Sequence, residues 1–456
     1  FIFNSAWSYS TNTKSDMSST TQVVTGTYVY HDNIEQPMLI ISSKNGSWSF
    51  VNTIPDAENG AYLYTVRCID KICLSTGAIE TEHYYWPTNH RRPLFMLSND
   101  RGNTWSAQNI SGLPPMTDGI APYMSCTDNM CTAVGWYQSN SGHSFPLILT
   151  SRNSGQSWFN MQNVAHLPIM QYGELSAISC AGGFCAAGGT YSIQHDDEHL
   201  LFLTSGDNGQ SWSFVQNIVG LPNMETAHLK MIKCNNNTCV AAGNYTTRYD
   251  DKHALLLASH DKGQTWTFVN EIPDLSHLED LSIDDLTYTN GSYIAVGGYL
   301  KAGDKGFLQS LILISKDNGE SWSLVKDITG SQSKKLGWLK SVSCNSNTCV
   351  AGGEGFYDSG FNFGLTLLVS KDDGKSWSLI PYVAGTAYTP DINVVQCSEN
   401  YCTATGNFTD NAEYSHPVLL VSDNQGQEWS VVENIFHFPQ NVYKVHFSSA
   451  ASLGID

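Results

Sequence analysis

Ser315-Lys316-Asp317-Asn318-Gly319-Glu320-Ser321-Trp322 decides the fold, because the chain writes this stretch again and again. Near-copies begin at Ser98, Ser151, Ser205, Ser259, Ser370 and Ser422, each ending in Trp seven residues on; a copy one residue shorter runs from Ser42 to Trp48. The closing tryptophans (Trp48, Trp105, Trp158, Trp212, Trp266, Trp322, Trp377, Trp429) lie 52 to 57 residues apart. A fixed motif at that period is one supersecondary unit copied around a repeat architecture. Short apolar runs such as Leu201–Leu203, Leu255–Leu257, Leu311–Ile314 and Val418–Val421 precede the copies. Runs of that length bounded by turn residues read as strands buried on both faces. The motif then supplies turn chemistry: an Asp or Asn side chain bonds backbone N–H groups, and Gly supplies the positive φ. Trp opens the next strand and offers an apolar face to the neighbouring unit. A helix–loop–helix Ca²⁺ site is excluded by the lack of flanking helices and of a twelfth-position Glu.

S-x-D-x-G-x-[ST]-W resembles the Asp-box, or bacterial-neuraminidase, repeat found in sialidases, the sortilin receptor domain, the photosystem II assembly propeller and xyloglucan-cleaving enzymes. Asp100, Asp207, Asp261, Asp317 and Asp372 match the motif fully, whereas Asn153 and Asn424 replace the acid in two copies and Glu428 replaces the hydroxyl residue in one. The resemblance implies a β-propeller and no particular activity, since that family holds enzymes, receptors and scaffolds alike.

All twelve cysteines fall into pairs of one spacing: Cys68/Cys73, Cys126/Cys131, Cys180/Cys185, Cys234/Cys239, Cys344/Cys349 and Cys397/Cys402. Each pair brackets four polar turn residues, so its members face each other across a tight hairpin within disulfide range. Zinc would need two converging pairs, and these lie one per unit. Tyr288 and Tyr293 take the same positions in the unit that lacks cysteine. Six such staples predict a secreted, cell-surface or periplasmic protein.

Each unit reads as four strands. Before Trp377 these are A (Leu339–Cys344), B (Cys349–Gly353), C (Leu365–Ser370) and D, which begins at the Trp. Glycine recurs four residues after the second cysteine (Gly77, Gly135, Gly189, Gly243, Gly353, Gly406, and Gly297 in the Tyr unit), which predicts a close backbone approach near a central channel. Residues 21–52 resemble strands B, C and D without an A, and Val442–Phe447 resembles an A with nothing after it. The expected fold is therefore all-β: an eight-bladed propeller of four-stranded antiparallel blades, its ring closed by the C-terminal strand A joining the N-terminal B–C–D. The expected division is 1–20 as a strap or an arm for self-assembly, 21–52 plus about 442–449 as the closing blade, and 53–441 as seven consecutive blades. Hairpins and Asp boxes should share one face of the disc, leaving the variable B–C and D–A loops on the other, where function usually sits.

With Lys+Arg 23 against Asp+Glu 42, the net charge of −19 argues against nucleic acid and anionic membranes as partners. No apolar run reaches the ~18 residues a membrane span needs. Phe1-Ile2-Phe3 carries no signal peptide, so the chain reads as a mature form. Six N-x-[ST] sequons (Asn45, Asn109, Asn236, Asn244, Asn290, Asn407) permit glycosylation in a eukaryotic host.

Candidate ligand-binding residues on the variable face are Tyr84, Tyr85, Trp86, Trp136, Tyr137 and Trp338, which could stack on sugars or peptides, with Arg91, Arg92 and Arg248. Asp196, Asp197 and His199, with Asp250, Asp251 and His253, have the residue types of a divalent-cation site. His90, His143 and His416 precede strand C without an acidic partner in sequence, which favours loop closure by hydrogen bonds instead. Sialidases hold their substrate's carboxylate with three arginines, and the resemblance implies the same need here. Arg101 and Arg152 lie inside boxes and Arg67 lies in a strand A, which leaves Arg91, Arg92 and Arg248. The first two are adjacent and, in an extended segment, point to opposite sides, so no triad assembles. No G-x-S-x-G elbow exists, and every cysteine is committed to a pair. The reading is a non-enzymatic propeller, cofactor-free, that binds a protein or glycan or builds an extracellular assembly. The alternative is a glycoside hydrolase using acids of the same face, Asp197 and Asp251 among them.

Overall fold

The computed structural model describes residues 21–452 apart from 31–33, 44–45, 52–59, 82–89, 195–197, 249–251, 271, 273–274, 276–277, 302–307, 331–334, 358–361, 382, 384–390, 411–413 and 440–441. The strap or arm expected at 1–20 lies outside the described residues.

Eight sheets form an eight-bladed propeller without helices among the described residues. Blade 1 takes Gln22–Val29, Glu35–Ser42 and Trp48–Phe50 as strands B, C and D, and Lys444–Ser452 as strand A. Its A and B strands pair antiparallel from Lys444↔Val29 to Ser452↔Gln22, so the two ends of the chain close the ring as expected, three residues beyond the predicted strand end. The A strands of blades 2 to 8 are Ala61–Ile69, Asp118–Thr127, Tyr172–Ala181, Thr226–Asn235, Leu278–Thr289, Lys335–Asn345 and Asp391–Ser398.

The structure adds a strand that the repeat pattern does not announce. In five sheets a two-residue segment from the preceding blade lies parallel to strand D, as with Ile110 beside Trp158 and Ile435 beside Trp48. This segment covers an edge that would otherwise present unpaired N–H and C=O groups. The apolar core lies between successive blades, with Leu74, Phe95 and Leu97 of blade 2 packing on Ala133, Leu149 and Trp158 of blade 3. Each box Trp is a wedge in such a junction, and none is more than 7 % exposed.

The seven full-length boxes share one set of bonds. The box Ser Oγ donates to the Asp or Asn Oδ1 at 2.8–3.0 Å and accepts the Gly N–H at 2.8–2.9 Å. Trp Nε1 donates to the Gly carbonyl at 2.8–3.2 Å. The residue before the Gly is itself left-handed, with φ between 53° and 63° from Arg101 to Gln425. In six blades its N–H bonds a carbonyl of the same blade's A–B turn, for example Lys262 to Asn237 at 2.9 Å. Hairpins and boxes therefore share one face.

All six predicted disulfides form on that face: Cys68–Cys73, Cys126–Cys131, Cys180–Cys185, Cys234–Cys239, Cys344–Cys349 and Cys397–Cys402. The second member of each pair does more than close the hairpin. Cys73, Cys131, Cys185, Cys239, Cys349 and Cys402 are no more than 1% exposed. Each opens strand B with its side chain in the apolar junction between blades, as Cys131 does beside Leu74 and Trp158. These six sulfurs are core as well as cross-link, and offer no surface to a ligand. Tyr288 and Tyr293 oppose each other in the same register with ring centroids 4.9 Å apart, and Tyr293 is buried like the cysteines it replaces.

The recurring glycine marks a β-bulge. A Cβ there would stand 1.8–2.2 Å from a strand A carbonyl oxygen in every blade. The register slips beside it, and one extra strand A residue is pushed out: Tyr64 in blade 2, Ser176 in blade 4, Lys230 in blade 5, Asp284 in blade 6, Lys340 in blade 7, Asn393 in blade 8 and Ser448 in blade 1. In blade 3 the slip falls at Ala121-Pro122.

Candidate functional site

All eight A strands line a central channel of about 930 Å³. Bulged residues from seven blades line it, Tyr64, Pro122, Lys230, Asp284, Lys340, Asn393 and Ser448. The bulge re-aims a side chain at the axis and brings it within reach of the adjoining blade.

Charges near the B–C/D–A mouth are joined across blade junctions. Arg91 at the start of strand C of blade 2 forks onto Asp118 of blade 3, with Nε to Oδ1 at 3.1 Å and the terminal nitrogen to Oδ2 at 2.8 Å. Its guanidinium lies 5.5 Å from the ring centroid of Trp136. The bond to Asp118 raises the Arg91 pKa against the opposing effect of burial. Beside it Tyr62 and Tyr64 stack with centroids 6.2 Å apart, and Tyr62 Oη donates to Glu80 Oε1 at 2.8 Å. Burial pushes the Tyr64 hydroxyl up to about 12, opposed by Arg91. Burial and then Glu80 raise the Glu35 carboxyl.

On the far side, Lys230 Nζ donates to Asp284 Oδ1 and Trp338 Nε1 to Asp284 Oδ2, each at 2.5 Å. Lys340 Nζ reaches Asp391 at 2.5 Å and Glu354 at 3.8 Å. Between these groups stands an acidic pair of another kind. The Glu174 carboxyl is raised by burial first and by Glu198 second, opposed by His228.

The predicted binding residues separate into three groups. Arg91 and Trp136 meet at the junction of blades 2 and 3, and Trp338 lines the channel on the far side, inside strand A rather than at the end of a D–A loop. It is placed under Gly298, where a Cβ would come within 2.9 Å of its ring. Tyr137 turns the other way into the junction of blades 2 and 3, 5.7 Å from the Phe145 ring, because alternation along the strand sends it opposite Trp136. Arg248 is exposed beyond the end of strand B, and Arg92 is half-buried opposite Ile79. Tyr84, Tyr85 and Trp86 lie outside the described residues, as do Asp196, Asp197, Asp250 and Asp251. His199 lies tilted against Tyr191 of strand B at 5.2 Å, and His253 and His416 stack on Tyr245 and Phe408 at 5.1 and 4.8 Å. His199, His253 and His416 are thus cross-strand ring partners within strand C, and the hydrogen bonding expected of His90 and His416 is present as well. His416 also sits 2.9 Å from Asp410, and His90 bonds the Thr117 carbonyl at 2.7 Å. No group of three metal-binding side chains occurs among the described residues.

Sequence reasoning passed over Tyr62, Tyr64, Lys230, Asp284, Lys340 and Glu174. A signal was present for four of them: the bulged residue stands four positions before the first hairpin cysteine or its Tyr equivalent, as Tyr64 does before Cys68 and Asp284 before Tyr288.

No family model matches the chain. A xyloglucanase of Hypocrea jecorina (strain QM6a) is 28% identical over 155 residues, covering 31% of this chain and 18% of that protein. The chain thus matches less than a fifth of the length of this curated relative. Solved structures of similar form include YCF48 bound to a D1 peptide (16% identity, TM-score 0.39, covering 72% of this chain and 84% of that one). A PL25 ulvan lyase bound to a -[GlcA(1-4)Rha3S]- saccharide is 11% identical with TM-score 0.47, over 80% and 92% of the two chains. Trypanosoma rangeli sialidase with sialic acid is 10% identical with TM-score 0.41, over 88% and 59%. Likeness at this level does not carry an activity from one chain to another.

Proposed function

We propose that the chain is a non-catalytic binding propeller that engages a protein or glycan ligand across the B–C/D–A mouth of its channel, in an extracellular setting that its six disulfides fit. The observation that carries this reading is the pairing of charge at the mouth. Arg91, Lys230 and Lys340 each spend their charge on a carboxylate of the next blade, while Tyr62, Tyr64, Trp136 and Trp338 remain half-exposed beside them. Rings held rigidly by a scaffold recognise sugars and peptides by stacking at little entropic cost. A glycan array and an immobilised peptide library, probed with the wild type and with Trp136→Ala and Trp338→Ala, test this. Loss of at least about tenfold in affinity, ~1.4 kcal/mol, is expected for each variant. Unchanged binding by both would overturn it.

One observation favours the glycoside hydrolase reading. Glu174 is a carboxylic acid kept protonated to higher pH than usual by burial and by its neighbour Glu198, and a glycosidase needs one protonated and one ionised carboxyl. A panel of chromogenic glycosides separates the two readings. Turnover by the wild type that Glu174→Gln abolishes would replace the binding reading with this one.

A further inference from the structure

The residue before the first hairpin cysteine faces the lower channel. In blades 3, 4 and 7 it is Ser125, Ser179 or Ser343, and its hydroxyl accepts the N–H of the next blade's cysteine: Cys180 at 2.9 Å, Cys234 at 3.0 Å and Cys397 at 2.9 Å. These bonds tie neighbouring A strands together around the axis. In blades 2 and 5 the same position holds a cation, Arg67 and Lys233 respectively. Both line the channel, and neither makes a hydrogen bond or an ion pair among the described residues. The channel's other cations differ, since Lys230 and Lys340 each hold a carboxylate at 2.5 Å.

We propose that the hairpin end of the channel is an anion site in which Arg67 and Lys233 together bind an oxyanion group, a carboxylate, sulfate or phosphate, borne by a ligand that enters the channel. Arg67 is exposed to the water of the channel, and Lys233 is half-buried in its wall. Two like charges facing one channel repel each other, and that repulsion is relieved when a counter-charge joins them. Burial holds both groups below their usual pKa, and Arg67 lowers Lys233 further. Asp285 is the carboxylate that both groups feel. It is already engaged by the Val342 N–H at 2.8 Å, the Leu286 N–H at 2.8 Å and the Ser341 hydroxyl at 3.1 Å, across the junction of blades 6 and 7. The net charge of −19 repels anions at long range, so the two cations oppose the protein's overall field rather than follow it.

Calorimetric titration of the full chain with sodium sulfate, sodium phosphate and sodium succinate, at constant ionic strength held with chloride, tests the site. At least one anion should bind saturably, and which one binds identifies the source of the oxyanion. Arg67→Gln and Lys233→Gln should each weaken binding by about tenfold or more, and the double variant should abolish it. Sulfate affinity should be lost as pH rises through the lowered Lys233 pKa, because binding needs its proton. The double variant should melt at no lower temperature than wild type in oxyanion-free buffer, since it removes two unpaired like charges. Absence of saturable binding for all three anions would overturn the proposal. So would equal affinity in the double variant, or a double variant that melts well below wild type without anion, which would make the two cations structural.

Discussion

The two faces of this disc are built from the same eight blades and obey different rules. On the hairpin face every full-length box repeats one bond pattern, from Ser98 to Trp429, and six of the hairpins carry the same disulfide. On the opposite face the junctions differ: Arg91 forks onto Asp118, Lys230 and Trp338 converge on Asp284, and Lys340 takes Asp391. The difference teaches where the burden of stability lies. A blade that is pinned at its turn and wedged by its Trp does not need its other end to be uniform. The mouth is then free to vary residue by residue.

Removing a wedge should have the largest effect. Trp158 is fully buried and stacks on Phe95 with ring centroids 3.9 Å apart, bridging blades 2 and 3. Trp158→Ala should cost ~3–5 kcal/mol, read as a lowered denaturation midpoint in guanidinium. A loss below about 1 kcal/mol would show that the junctions do not rest on these rings. Next comes the turn itself. Asp261 accepts the Thr265 N–H at 2.9 Å, the Thr265 hydroxyl at 2.7 Å and the Ser259 hydroxyl at 2.9 Å. Asp261→Ala should cost ~1–3 kcal/mol by leaving these donors unpaired. Asp261→Asn should cost clearly less, because Asn153 already holds the same turn with its amide donating to Ser157 Oγ at 3.0 Å. Equal losses for the two variants would mean that the charge, not the geometry, carries the turn.

At the mouth the same kind of change should cost least in stability and most in binding. The Arg91–Asp118 side chains are 24% and 14% exposed, so Arg91→Gln should cost only about 1 kcal/mol. Its effect on ligand affinity should be the greater of the two, because the fork fixes where the guanidinium sits over Trp136. A stability loss as large as that of Trp158→Ala would erase the contrast between the faces.

Sequence and structure agree most closely where the chain repeats itself. The boxes, the hairpin pairs and the closing strand were legible because each depends on residues close in sequence or on a pattern copied eight times. That Cys131 lies against Trp158 in the core was not, since the spacing of a pair says nothing of what its outer side packs on. The bulge was half legible. Gly243 stood out, but that it answers the His228 carbonyl, 2.0 Å from where its Cβ would lie, needs the register of two strands. The site was legible only as single residues. Arg91 and Trp136 could be named, yet Asp118, which holds Arg91 beside Trp136, belongs to the blade after that of Arg91 and shows no motif. The depressed and elevated acids were not legible, since burial and neighbouring charge are properties of the folded ring.

Those acids provide the smallest and sharpest test of the contrast, because the two faces should respond to pH with opposite signs. Partial burial alone would raise the box aspartates Asp100, Asp207, Asp261, Asp317 and Asp372, but the hydroxyl and N–H donors of each turn outweigh it and hold all five below the ordinary value. A carboxyl with a lowered folded pKa contributes stability that is full above its unfolded pKa and is lost as pH falls through the folded one. The mouth acids Glu35, Glu174 and Glu354 are raised, first by burial. Each therefore costs stability at neutral pH, and the cost disappears as acid protonates the folded group. Urea midpoints followed from pH 7 to pH 3 should show Asp261→Asn losing its deficit against wild type as the pH drops. Glu174→Gln should start slightly more stable than wild type and lose that advantage over the same descent. If both variants shifted in the same direction with acid, the two faces would be governed by one electrostatic rule, and the division drawn between a uniform pinned face and a variable mouth would fail.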